Sequence, residues 1–312
     1  MNIKAEKSGT NFKVAGYYPS WEPEKTDRIQ YDNLTHINYS FAIPTVNGSL
    51  LPLNNPDTAE KIIKQAHKEG VKVLLVVGGW SYQDIPLEAT FMEATDTHEK
   101  VTKLGNAIID MAKQYGFDGV DIDWEHPRME GSSRKQYEEL MLYLKGEVDK
   151  NQLLLTAAVL SGVTAEGEAI PDTFAQTDTV LGILDWVHVM AYDGGDGIRH
   201  SSYEFAVNSA KYWIDTRKMP KEKVVLGVPF YARPSWSAYS DILSRDSDGY
   251  NKDVFRNGEV EDYYNGIPTI REKTKWALEH AGGIMIWELS QDTKEDDKSL
   301  LRAIGDTVKK QL

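Results

Sequence analysis

Short apolar runs punctuate the chain at 13–18 (KVAGYY), 34–42 (LTHINYSFA), 71–79 (VKVLLVVGG), 117–125 (FDGVDIDWE), 153–160 (LLLTAAVL), 186–193 (WVHVMAYD), 223–231 (KVVLGVPFY) and 282–289 (GGIMIWEL). They are rich in β-branched and aromatic residues, and several are apolar almost throughout, as strands covered on both faces are. Between them, apolar residues recur at spacings of three and four over 57–70, 97–116, 132–150, 201–216, 269–282 and 296–311, which predicts amphipathic helices. Thr97 is placed to cap the second of these and Gly116 to stop it. The crossovers after the first and fifth runs are shorter and poorer in helical pattern. Strands alternating with helices imply parallel βαβ units, and eight of them predict an α/β protein, a single (β/α)8 TIM barrel with its chemistry at the C-terminal strand ends. A doubly wound open sheet is the alternative, but no Gly-x-Gly-x-x-Gly follows the first strand and no P-loop pattern occurs. No Pro/Gly/Ser-rich linker divides the chain, so one catalytic domain over 1–312 is expected, with 1–11 a flexible N-terminal segment.

The fourth run departs from the pattern of the others. In FDGVDIDWEHP (117–127), Val120, Ile122 and Trp124 alternate with Asp121, Asp123 and Glu125. With the apolar set turned to the helices, the three acids point into the barrel and climb toward its open end, spaced roughly 6–7 Å apart. Asp121 and Asp123 cannot both ionise cheaply, so the pair is expected to share a proton. Glu125, at the mouth, is then a general acid. An acidic cluster holding Mg²⁺ or Ca²⁺ is the rival reading; a purely structural role is disfavoured because buried acids are costly.

The other strand ends carry Tyr17, Tyr18 and Trp21; Tyr39 and Phe41; Gly78, Gly79 and Trp80; Met190, Tyr192 and Asp193; Tyr231 and Arg233; and Trp287 with Glu288. Rings gathered around acids suit a pyranose, whose C–H face stacks and whose hydroxyls bond. Trp186 is expected to pack under a helix and His188 to fill a barrel layer. The seven histidines form no evident ligand pair, so neither a metal nor any other cofactor is expected.

Composition narrows this further. The 312 residues include no cysteine, which excludes disulfides, Cys-based zinc sites and thiol catalysis. Thirty-five basic against 48 acidic residues give a net charge of −13, which repels phosphate polymers and favours neutral or cationic substrates. No apolar stretch is long enough for a membrane helix, and MNIKAEKSGTN lacks the apolar centre of a signal peptide. A secreted protein whose leader has been removed is the preferred reading, a cytoplasmic one the alternative, and a monomer is expected.

The pattern Asp118-x-x-Asp121-x-Asp123-x-Glu125 resembles the signature of glycoside hydrolase family 18 chitinases. VVGGW (76–80), MAYD (190–193), GVPFYAR (227–233) and IMIWEL (284–289) resemble that family's third-, sixth-, seventh- and eighth-strand motifs, in the same order. The resemblance implies retaining hydrolysis of β-1,4-linked N-acetylglucosamine polymers, chitin and its oligosaccharides, in which the substrate's own 2-acetamido oxygen is the nucleophile; the family is an exception to the two-carboxylate scheme. It implies catalytic roles for Glu125 as acid then base, Asp123 as holder of the amide, Asp121 as its partner and Tyr192 as a hydrogen-bond donor to the acetamido oxygen. Tyr17, Phe41, Gly79, Trp80, Met190, Asp193, Tyr231, Arg233 and Trp287 would bind substrate.

Three departures stand out. Val76 occupies a position where the family often has Ser, and His126 one where Tyr is usual. About 35 residues separate Arg233 from the next helix, too few for the family's α+β insertion, which implies a shallower cleft and endo-type cutting. Trp124 and Pro127 favour chitinase-like members. The alternatives are a hydrolase of another N-acetylglucosamine glycoside (an N-glycan core, peptidoglycan or spore-cortex glycan) and a non-catalytic chitinase-like lectin.

Overall fold

The computed structural model describes residues 12–311; the segment 1–11, expected to be flexible, lies outside the described residues. The eight apolar runs form eight parallel strands: β1 (Lys13–Pro19), β2 (His36–Ala42), β3 (Lys72–Gly79), β4 (Gly119–Trp124), β5 (Leu154–Leu160), β6 (Trp186–Met190), β7 (Val224–Pro229) and β8 (Gly283–Trp287). Each pairs with its chain neighbours, and β1 closes on β8 with Gly16 opposite Ile286, so the sheet is a closed barrel and the open-sheet alternative is excluded. A barrel has no free edges, and its strand ends all face one rim.

The described helices are α1 (Pro56–Lys68), α2 (Leu87–Ala94), α3 (His98–Tyr115), α4 (Ser133–Asn151), α5 (Asp178–Ile183), α6 (Tyr203–Lys211), α7 (Tyr239–Arg245), α8 (Ile267–His280) and α9 (Leu300–Gln311), of which α1, α3, α4, α6, α8 and α9 fall on the six segments of predicted periodicity. Thr97 caps α3, its hydroxyl accepting from Lys100 N at 3.3 Å, and Gly116 ends it at φ 79°. After β1 only two 3-10 turns occur, and after β5 a 3-10 turn and the short α5. The helix expected over 201–216 stops at Lys211 and continues as a wider turn, Tyr212–Thr216. There the Tyr212 hydroxyl meets Thr173 Oγ1 at 2.6 Å and the Trp213 indole donates to Leu160 O at 2.9 Å. The sequence pattern missed α2, α7 and the hairpins Ser81–Tyr82/Ile85–Pro86 and Val254–Asn257/Val260–Tyr263, all in the loops above the barrel.

The main core lies between barrel and helices; a smaller one fills the barrel with Tyr17, Leu74, Val76, Trp186, Val225 and Met285. Trp186 therefore sits inside the barrel and not under a helix. It shares strand parity with His188 and Met190, and side chains two apart on a strand face the same way.

Candidate active site

β4 sets the site. Its outward side chains Val120, Ile122 and Trp124 are buried against the helices, and Trp124 stacks on Phe91 of α2 at 4.6 Å with ring planes 9° apart. A one-residue slip would turn all three acids under the helices, so this packing fixes which way they face. Asp118, just before β4, stays out of the ladder: its Oδ2 accepts from Val73 N at 2.7 Å and lies 2.8 Å from His67 Nε2, tying β4 to β3.

Asp121 is fully buried. Its Oδ2 accepts from the Tyr17 hydroxyl at 2.5 Å, and its Oδ1 accepts from the Thr156 hydroxyl and lies 3.2 Å from His188 Nδ1. Both oxygens are thus taken by neighbours other than Asp123, and no hydrogen bond joins Asp121 to Asp123 among the described residues. Asp123 is buried with Oδ1 unpartnered; burial first, then the charges of Glu125 and Asp121, hold its pKa well above the usual carboxylate range. Glu125, at the mouth, is pushed up to about 7 by burial and then by the Asp193 charge. His126 Nε2 lies 3.5 Å from Glu125 Oε2, and burial followed by the Arg128 charge lowers its pKa to about 4. At neutral pH the ring is uncharged beside the acid.

Aromatic rings run along one side of the mouth. Trp287 meets Tyr17 edge-on at 5.5 Å and stacks with Phe41 at 5.8 Å, which stacks with Trp21 at 5.9 Å. The two glycines of VVGGW make room: a Cβ on Gly78 would lie 2.2 Å from Asp123 O, and one on Gly79 would lie 2.9 Å from the Phe41 ring. Both have positive φ, 116° and 96°, which favours glycine. Trp80 is 60% exposed, 6.5 Å from the His126 ring.

On the opposite side, Met190 and Tyr192 are half-buried. Burial and then the charges of Asp123 and Glu125 raise the Tyr192 phenol well above its ordinary value, so the phenol remains a donor. Asp193 accepts from the Tyr231 hydroxyl at 2.6 Å and from Arg233 at 3.3 Å, with His200 at 3.2 Å. Burial pushes its pKa up, but these partners outweigh it and the net direction is down. Arg128 pairs with Glu88 and Asp172 and anchors the loop that follows Glu125.

The structure brings the expected residues to one rim but divides their work. Tyr17 and Tyr231, read from sequence as walls, are each 2% exposed. Tyr17 lies beneath Trp287 and holds Asp121; Tyr231 is covered by Trp236, stacked at 5.5 Å with planes 8° apart, and Arg233 lies 4.0 Å from the Trp236 ring. Sequence reasoning missed Trp236, His200 and Thr156. Thr156 stands opposite Asp121 in the β4–β5 register and was readable from strand alignment. Trp236 lies in a loop at φ 62°, where no periodicity marks it.

One acid poised to hold a proton near neutrality stands above a buried acid, and Asp193, the further carboxylate whose charge acts on Glu125, is already bonded. Such a set can protonate a leaving group and support an amide. The three acids climb the strand instead of converging, and among the described residues no group of three or more His, Asp or Glu side chains is arranged to hold a metal ion.

A family model described as "Glycosyl hydrolases family 18" matches residues 13–292. Among solved structures, the GH18 chitinase ChiB from the chitin utilization locus of Flavobacterium johnsoniae superposes with a TM-score of 0.82 at 27% identity, over 97% of this chain and 96% of that one. A chitinase-like effector of Moniliophthora roreri is 28% identical over 69% of this chain and 57% of its own length. Chitinase A1 of Niallia circulans is 24% identical over 95% and 59%. The chain thus spans less than two thirds of these two curated relatives.

Proposed function

The chain belongs to glycosyl hydrolase family 18, and from that premise we propose that it cleaves β-1,4-linked N-acetylglucosamine polymers, chitin, with retention, using the substrate's 2-acetamido group as nucleophile. The observation that carries this reading is the pairing of Glu125, with a pKa pushed up to about 7, and the buried Asp123 below it, while Asp193 is engaged by Tyr231 and Arg233. Glu125 gives its proton to the glycosidic oxygen as the C1–O bond breaks. The acetamido carbonyl oxygen forms the new bond to C1, and Asp123 accepts the amide N–H and offsets the positive charge of the oxazolinium ring. Glu125, now a carboxylate, takes a proton from the water that opens the ring from the opposite face, so two displacements return the original configuration. Tyr192 donates to the acetamido oxygen and orients it, and Trp287 supplies the apolar floor. Met190 and Asp193 line the same pocket, with Phe41, Trp80 and Arg233 along the walls. A polymer too large to enter a cell fits the secreted reading.

A second reading is a non-catalytic glycan binder, since one of the matched relatives is a chitinase-like effector. Product analysis on soluble chitin oligomers separates the two. Hydrolysis with the β-anomer formed first supports the proposal, early α-anomer refutes the acetamido mechanism, and binding without cleavage supports the effector-like reading. Glu125→Gln is expected to lower kcat by about a thousandfold, the order general acid–base groups contribute, with substrate binding retained.

A further inference from the structure

Beneath the acids lies a buried polar array whose members no catalytic step uses. Trp186, His188 and Thr156 are all 4% exposed or less. The Trp186 indole N–H donates to His188 Nε2 at 2.8 Å. An indole N–H can only donate, so Nε2 is bare and the ring proton sits on Nδ1. That atom lies 3.2 Å from Asp121 Oδ1 and 3.0 Å from the Tyr17 oxygen. Asn38 is consistent with this tautomer: its Oδ1 is buried without a partner while its Nδ2 lies 3.4 Å from Nδ1. Turning that amide over brings the orphan acceptor to the N–H.

Asp121 is therefore met by three donors, the Tyr17 hydroxyl, the Thr156 hydroxyl and His188 Nδ1–H. On its other flank stands Val76 of β3, which offers it nothing, with Val76 and Thr156 each opposite Asp121 in their registers. Resting on the catalytic reading above, we propose that Thr156 and the Trp186-locked His188 are positioning residues: they hold Asp121 from the β5 and β6 side, in place of a hydroxyl on β3, and leave Asp123 free to face Glu125 and the substrate amide. The geometry accounts for two facts together, the absence of an Asp121–Asp123 hydrogen bond and the unpartnered Asp123 oxygen. With these donors turned on Asp121, no hydrogen bond ties Asp123 to it among the described residues.

The test has two arms. In the first, Thr156→Val is expected to lower kcat on a chitobiose reporter by roughly tenfold, the upper scale of one net hydrogen bond, with KM changed by less than about threefold. Adding Val76→Ser, which puts a hydroxyl on the other flank, is expected to restore kcat to within about threefold of wild type. An unchanged kcat in Thr156→Val, or a folded double variant that is no better than the single one, overturns the proposal. The second arm needs no activity: two-bond ¹H–¹⁵N correlation, with His188→Asn used to assign the resonances, reads the His188 tautomer. The Nδ1–H form supports the lock and the Nε2–H form overturns it. Wild-type protein that hydrolyses no chitin oligomer refutes the parent reading alone, and the tautomer then decides this one.

Discussion

At the residue scale the chemistry rests on Glu125 keeping its proton. Its pKa of about 7 is set by burial and by the Asp193 charge, and the acid form is lost as pH rises through that value. Hydrolysis is expected to fall on the alkaline side of about pH 7. Asp193→Asn removes a like charge, so the Glu125 pKa drops and the alkaline limb of the kcat profile moves down, by on the order of one unit. A limb that stays in place, or moves up, disproves this electrostatic assignment. His126, whose pKa lies near 4, supplies no competing limb at neutral pH. The ladder was legible in the sequence because a period of two puts Asp121, Asp123 and Glu125 on one face whatever the surroundings. Its support was not: Thr156 and His188, the latter held by Trp186, reach Asp121 from other strands, and only barrel closure and register bring them there.

At the element scale the eight strands and the six long helices were readable from their periodicities, since each buries a defined face. Elements that cover the rim were not, because α7 and the two-residue strands after Trp80 are too short for a repeat to appear. Lys273 of α8 shows what holds that rim in place. It is fully buried, and its ammonium donates to Ser201 O, Ser201 Oγ and Asn265 Oδ1 at 2.7–2.8 Å, tying α8 to the loop after β6. No carboxylate is among these acceptors, and burial lowers the Lys273 pKa from 10.5 to about 7. Between those values the unfolded chain binds more protons than the folded one, so this group makes stability rise with pH from about 7 to about 10.5, by up to a few kcal/mol. Urea midpoints across that window are expected to climb more steeply for the wild type than for Lys273→Met. Parallel curves would show that Lys273 is charged in the native state.

At the scale of the whole molecule, the net charge of −13 and the ionised rim acid Asp193, whose pKa its partners hold down, make one field. A cleft lined by one sign of charge concentrates oppositely charged ligands and repels like ones. A fully acetylated chitin oligomer is neutral and gains nothing from it. A partly deacetylated polymer carries ammonium groups and is drawn in, provided an acetylated sugar reaches Glu125, because the acetamido nucleophile must come from that unit. Raising the ionic strength from about 0.01 M to about 1 M shortens the screening length from about 30 Å to about 3 Å. KM for the deacetylated polymer is expected to rise several-fold over that range while KM for the neutral oligomer holds, and kcat is expected to stay constant for both. Equal salt effects on the two substrates would mean that the acidic surface serves solubility and does not select substrate. A fall in kcat for the cationic polymer alone would place its ammonium groups against the acids of the ladder, and not along the outer cleft.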